Sequence, residues 1–420
     1  MQVIIVAIGS AGDVNPFMVI GARLKKLGHE VLIVASPHFE EKVARAGLRL
    51  LPLGTEEDFQ RAVNNPELWK AGTGFAAVWK EMPESIRLTY QQIEANHQGA
   101  NTILVGSTLA IGARLAQEKL KLPLATVHLA PTCILSIHGT AQSPTHPLPS
   151  WLPNTFKKSF YQFLDYAVLD RISANSLNEL RASMGLPPVK NVISKYIHSP
   201  ELVICAFPDW FASVQADWPP SSYTTGFTLY SADKDLPLSA ELEEFLQNGE
   251  APIVFTAGSA MAFSKQFFEQ ATQASQQAGR RAVLVSAFKD QIPEEVPSSI
   301  LHVSYANFNA LFSRAAIAVH HGGIGTSAMA LASGCPQIIV PYAHDQFDNG
   351  LRIEALGAGK AVAGRASFKK LKEAIQFASD PKIDRACKLF QKRIAESKPA
   401  EDQSADLILK KLGNQAPVGS

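Results

Sequence analysis

Short runs of consecutive apolar residues, each followed by a stretch of helical periodicity, recur along the whole chain. Val3-Ile4-Ile5-Val6-Ala7-Ile8 and Val31-Leu32-Ile33-Val34 are apolar at successive rather than alternate positions. Parallel strands covered on both faces have this pattern. In the first half it predicts strands over 3–8, 30–35, 48–53, 102–106, 124–129 and 201–206. Helices are predicted over 16–27, 38–46, 83–96, 109–119 and 155–183. The second half repeats the alternation, with strands over 252–256, 281–286, 300–304, 315–320, 336–340 and 360–363. Its helices are expected over 264–278, 307–313, 325–333, 345–356 and 367–378.

This is an α/β chain of two Rossmann-like, doubly wound domains, 1–228 and 241–382. Pro219, Pro220, Gly226 and Pro237 interrupt 217–240, so 229–240 reads as the linker. A charged amphipathic segment, 383–412, follows and is expected to pack back on the first domain. Doubly wound sheets carry their binding loops at strand C-termini, so two facing domains with an interdomain cleft are the natural architecture.

Composition narrows the function. The chain has 420 residues, 46% of them hydrophobic and 18% charged, enough for two ordinary cores. A net charge of +1 recruits neither nucleic acid nor an acidic membrane. Met1 leads straight into the first strand rather than a signal peptide. No apolar run approaches the ~20 residues of a membrane span. A cytoplasmic location is expected, with membrane contact at most peripheral. Cys133, Cys205, Cys335 and Cys387 are scattered without CxxC or Cys/His spacing and read as reduced thiols.

The chemistry concentrates at predicted strand ends. His320-His321-Gly322-Gly323-Ile324-Gly325-Thr326 joins an apolar strand to a helix. A glycine turn there points backbone N–H groups at an anion, and the helix dipole favours a diphosphate. His321 can stabilise the leaving charge, and Thr326 can cap the helix or donate to phosphate. Phe255-Thr256-Ala257-Gly258-Ser259 offers a second phosphate-cradling turn. Tyr305-Ala306-Asn307 offers an aromatic face for a base, and Asp345-Gln346 offers acceptors and donors for sugar hydroxyls.

At the first strand's end stands Gly9-Ser10-Ala11-Gly12-Asp13-Val14-Asn15-Pro16. It is G-x-x-G, not G-x-G-x-x-G, and no acidic residue closes strand 30–35, which argues against a nicotinamide enzyme. Asp13 reads as an N-cap for the helix or as a general base. Asp233-Lys234-Asp235 lies in the linker rather than at a strand end, and no histidine pair has ligand spacing. No metal and no cofactor is expected.

The order Gly-Ser, aromatic turn, His-Gly-Gly-x-Gly-Thr and Asp-Gln-x-x-Asn resembles the family-one nucleotide-sugar glycosyltransferases of the GT-B fold, over essentially the whole chain. The resemblance implies that Ser259 and His321 touch the diphosphate, with Gly323, Gly325 and Thr326 in its cradle. It places Tyr305 and Ala306 near the base and Asp345 and Gln346 on the donor sugar. Many relatives have Trp where Tyr305 stands. It makes Asp13 the base of an inverting, metal-independent transfer.

Ala7-Ile8-Gly9-Ser10-Ala11-Gly12-Asp13-Val14, Val105-Gly106-Ser107, His198-Ser199-Pro200 and Ala343-His344-Asp345-Gln346-Phe347-Asp348-Asn349 resemble rhamnolipid-type rhamnosyltransferases. Those enzymes use dTDP-L-rhamnose and a hydroxy fatty acyl acceptor. His320-His321 departs from their His-Pro and resembles sterol- and glycopeptide-type members, which use UDP-glucose or dTDP-sugars. The expected partners are a nucleoside-diphosphate sugar and an apolar acceptor with a hydroxyl. Trp69, Phe75, Trp79, Trp151 and Phe163 fall in the segments expected to meet that acceptor, or else in ordinary core, and His128 is expected to line the acceptor pocket. A catalytically inactive, activating partner of the same fold is the competing class. The presence of His321, Asp345 and Gln346 argues against it.

Overall fold

The computed structural model describes residues 1–70, 73–139, 149, 151–229, 236–258, 264–362, 364 and 366–413. They form two compact units, Met1–Thr228 joined by the stretch from Lys398 onward, and Leu229–Ser397.

The first unit holds seven parallel strands: β1 (Gln2–Val6), β2 (Glu30–Ala35), β3 (Arg49–Pro52), β4 (Thr102–Ser107), β5 (Leu124–His128), β6 (Leu202–Cys205) and β7 (Ser222–Thr224). Their order is β3-β2-β1-β4-β5-β6-β7, with Val3 opposite both Val31 and Ile103. The chain winds outward from β1 in one direction and from β4 in the other. The switch point, where doubly wound sheets bind ligands, therefore lies at the C-termini of β1 and β4.

The second unit has β8 (Ile253–Thr256), β9 (Ala282–Val285), β10 (Ile300–Val303), β11 (Ile317–His320), β12 (Gln337–Ile339) and β13 (Gly359–Ala361). The order β10-β9-β8-β11-β12-β13 puts its switch point between β8 and β11. Strand registers are parallel throughout.

Three expectations need correction. The first helix runs Ala11–Lys26, not 16–27, because Ser10 starts it and Pro16 sits inside it. The stretch 217–240 is not all linker: Ser222–Thr224 adds the edge strand β7 beside β6. Residues Asp233, Lys234 and Asp235 lie outside the described residues. The segment 383–412 is two helices, Pro381–Glu396 in the second unit and Ala400–Leu412 in the first. Extended backbone at Ser397 and Pro399 separates them, since proline cannot continue a helix. The second of the two buries Ala405, Ile408 and Leu412 and ties Asp402 to Arg23 at 2.6 Å.

Trp79, Met82, Ile86 and Ile93 on the helix Gly74–Asn96 pack with sheet residues Ile4, Leu32 and Leu104 in the first core. The next helix, Ile111–Leu120, crosses it at Gly112, where an added Cβ would lie 2.6 Å from the Ile86 carbonyl and 2.5 Å from Thr89 Cβ. Helix propensity alone favours alanine there by ~1 kcal/mol. Forcing two backbones apart costs about 1–3 kcal/mol, so packing wins. Gly112→Ala is expected to lower the urea midpoint of the first unit. A raised midpoint would show that the crossing has slack.

Candidate active site

The turn after β11 is built around one imidazole. His320 ends the strand and is buried. Its Nε2 lies 2.9 Å from Gln337 Oε1, and its Nδ1 accepts the Gly322 N–H at 3.1 Å. Nδ1 must be bare to accept, so Nε2 carries the proton. Burial, helped by the neighbouring His321, pushes its pKa down to about 3. His320 is thus a neutral peg that shapes the turn.

His321 points the other way. An added Cβ on Gly258 would stand 2.7 Å from its Cε1, and one on Gly323 would stand 2.5 Å from its Nε2. The ring occupies a slot that exists because both flanking residues lack side chains. Gly258 also has φ +95° and Gly322 φ +91°, conformations that glycine supplies without strain. The ring is only partly screened from solvent, yet Nδ1 is buried and has no hydrogen-bond partner among the described residues. Desolvation lowers its pKa to about 4. Gly323 opens the helix Ile324–Ala332. Among the described residues nothing lies within 4 Å of where a Gly325 Cβ would be. Thr326 lies partly exposed on the first turn of that helix.

The loop after β12 locks onto this turn. Gln346 is buried, and its Oε1 accepts the N–H groups of Tyr342 and Ala343 at 2.8 and 3.0 Å. Only its amide nitrogen is left to donate. Asp345 precedes the helix Gln346–Ala355. Asn349, one turn later, donates to Asp345 Oδ2 at 2.7 Å and to the Gly322 carbonyl at 2.9 Å. Asn349 therefore couples the Asp-Gln pair to the glycine turn. Asn349 closes the Asp-Gln-x-x-Asn motif, and its i+4 spacing from Asp345 is the sequence signal for this bond.

Tyr305 follows β10 and is 58% exposed. Ala306 is buried in the core cluster, so only its backbone is left for a ligand. Ser259 lies outside the described residues.

In the first unit Asp13 stands just past β1. It is exposed, and its Oδ2 accepts from the Ser10 N–H at 2.8 Å and the Ser10 hydroxyl at 3.0 Å. This is an N3 capping box rather than the N-cap position. Gly9, at φ +134°, makes room for that carboxylate. His128 is fully buried, not pocket-lining as expected: it ends β5, touches Thr108 Oγ1 at 3.0 Å and His198 Nδ1 at 2.8 Å. Phe75 packs beside Trp79 against the core. Trp69 closes the turn Pro66–Trp69. Phe163 is 64% exposed on the helix Asn154–Leu164. Among the described residues no group of three or more His, Cys, Asp or Glu is placed to hold a metal ion.

Comparison with known proteins agrees with this layout. Residues 3–138 match the glycosyltransferase family 28 N-terminal domain, and residues 282–407 match the erythromycin biosynthesis protein CIII-like C-terminal domain. The chain is 29% identical to glycosyltransferase GtfC of Amycolatopsis orientalis, over 91% of each chain. It is 26% identical to sterol 3-beta-glucosyltransferase UGT80A2 of Arabidopsis thaliana, over 94% of this chain and 63% of the relative. Spinosyn rhamnosyltransferase SpnG, solved with thymidine diphosphate, shares the fold at TM-score 0.68 and 18% identity, over 97% of this chain and all of that one. With both its N-terminal and its C-terminal halves matched and the glycine turn in place, the chain belongs to the family-one nucleotide-sugar glycosyltransferases of the GT-B fold.

Proposed function

We propose that the protein moves a hexose from a UDP- or dTDP-sugar to a hydroxyl of an apolar acceptor, with inversion and without a metal ion. The observation that carries this is His321, an uncharged imidazole with a buried, unpartnered nitrogen beside a helix N-terminus. A diphosphate brought to that turn supplies the negative charge the ring lacks. Nearby anions raise a histidine pKa, so the ring gains proton affinity as the leaving group gains charge. Gln346, with its carbonyl committed to the loop, donates through its amide nitrogen to a sugar hydroxyl, and Asp345 accepts.

Asp13 acts as the base. Two hydrogen bonds from Ser10 orient its carboxylate. A carboxylate with an ordinary pKa near ~4 is weak against an alcohol, so the proton moves late, after the anomeric bond has largely broken. One displacement with one base inverts the anomeric centre.

A hydroxy fatty acyl lipid is the first acceptor to test. A sterol or another aglycone is the second, favoured by the likeness to the sterol glucosyltransferase. UDP-glucose and dTDP-rhamnose offered with hydroxy fatty acids, sterols and phenols, with and without EDTA, test the proposal by mass spectrometry. Product is expected in both conditions. Loss of product in EDTA with rescue by Mg²⁺ would overturn the metal-free step, and no transfer to any acceptor would overturn the acceptor class.

His321→Ala is expected to lower kcat by about 10²-fold or more, as for loss of a transition-state donor. His320→Ala instead strands Gln337 and the Gly322 N–H, so roughly 1–3 kcal/mol of stability goes while the folded fraction retains more activity. Equal kinetic losses in the two would show that the assigned register of the turn is wrong. Asp13→Asn keeps an acceptor for Ser10 but removes the base. It should fold, bind nucleoside diphosphate normally and lose turnover. Asp13→Ala should lose ~1 kcal/mol of stability besides. A fully active Asn variant would make Asp13 a capping residue alone.

A further inference from the structure

Among the described residues, three other than glycine have a left-handed φ: Lys121, Asn191 and His344. Two have ordinary reasons. Lys121 (φ +58°) caps the helix Ile111–Leu120 at its C-terminus, where helices often end in this conformation. Asn191 is of a residue type that visits it readily, through local hydrogen bonds of its short side chain. His344 (φ +56°) ends no helix and stands in the loop between β12 and the helix Gln346–Ala355.

The loop's hydrogen bonds show what holds that residue in place. The Gln346 N–H donates to the Ala343 carbonyl at 3.3 Å, closing a four-residue turn with His344 and Asp345 at its centre. Asp345 has φ −71° and ψ −11°, so the central pair has the φ signs of a type II′ turn. Glycine takes the first central position of such a turn without strain, whereas a β-carbon there is costly. The bonds on either side leave the histidine no escape. Gln346 Oε1 accepts the Tyr342 and Ala343 N–H groups. Asn349 binds Asp345 twice, its N–H to the carbonyl at 3.0 Å and its amide to Oδ2 at 2.7 Å. Strain that neighbouring bonds over-determine in this way gathers at ligand clamps and active sites.

Ala343 and Gln346 are buried, whereas His344 is exposed and Asp345 half-buried. The turn therefore spends its strain on presenting an imidazole next to a carboxylate. A neutral imidazole both donates and accepts, as a sugar hydroxyl does. A phosphate at the same place would meet the Asp345 carboxylate as a like charge, which is unfavourable. We infer that His344 is a specificity residue of the donor site, whose ring hydrogen-bonds a hydroxyl of the hexose beside Asp345 and so selects among donor sugars. This rests on the donor-site reading of Asp345 and Gln346 proposed above.

Calorimetric binding to the full chain without acceptor tests it, so no turnover is needed. UDP and dTDP are titrated first, then UDP-glucose, UDP-galactose, UDP-xylose and dTDP-L-rhamnose, each sugar referred to its own diphosphate. His344→Gly removes the ring and relieves the turn, and His344→Ala removes the ring but keeps the strain. His344→Asn keeps a donor and an acceptor on a residue that tolerates the backbone. The Gly variant is expected to unfold at higher urea than the Ala variant. Both should narrow the spread of sugar affinities by roughly three- to tenfold, the Asn variant should recover part of it, and UDP and dTDP should bind all four proteins alike. An unaltered chain that binds every sugar alike, or Gly and Ala variants that keep its preference, would overturn the inference. So would a loss confined to the Gly variant, which would assign the effect to the backbone, or a parallel loss of UDP and dTDP affinity. If neither UDP nor dTDP bound the unaltered chain, the donor-site reading itself would fall, and the inference with it.

Discussion

The arrangement in the second unit depends on a steric constraint: nothing larger than hydrogen can stand at Gly258 or Gly323 while His321 sits between them. Desolvation in the slot lowers the ring's pKa to about 4, and Nδ1 has no partner among the described residues. The surrounding hydrogen bonds hold the ring's backbone so that it cannot escape that cost. His320 fixes the turn from beneath, through Gln337 and the Gly322 N–H. Asn349 grips the Gly322 carbonyl from the following loop. In the role proposed for His321, a donor held in this way acts without reorganising at the moment charge develops.

Much of the fold was legible because buried parallel strands write themselves as unbroken apolar runs. Val31–Val34 and Ala315–Val319 needed no other clue. The short edge strand Ser222–Thr224 was not legible, being one buried serine and two half-buried residues in a proline-rich stretch. Nor was the true start of the first helix, since Pro16 looked like a boundary and the reciprocal Ser10–Asp13 box sits upstream of it. The His-Gly-Gly turn was visible as a local string. Gly258 as the opposite wall of its slot was not, because that contact joins residues more than sixty positions apart.

The two switch points solve different problems. In the second unit Gly258 and Gly323 close on the His321 ring, and desolvation lowers its pKa. In the first, the turn after β1 keeps its carboxylate exposed and orients it by hydrogen bonds. The base proposed at Asp13 needs an accessible, oriented carboxylate. The donor proposed at His321 works from a neutral, desolvated state instead. The same topology thus places opposite electrostatic environments at equivalent strand ends.

His128 shows how burial redirects a residue the sequence pointed to. It stands at a strand end, as an acceptor-lining group would, but its ring faces inward and joins Thr108 to His198. Neutral imidazoles in such a chain share two tautomeric arrangements. If His128 donates to His198, the far nitrogen of His198 carries a proton. If His198 donates instead, that nitrogen is bare. Both arrangements are open because burial holds the pKa values of the two rings below the ordinary histidine range. Either ring, if charged, would fix the proton order and leave only an acceptor able to pair with it.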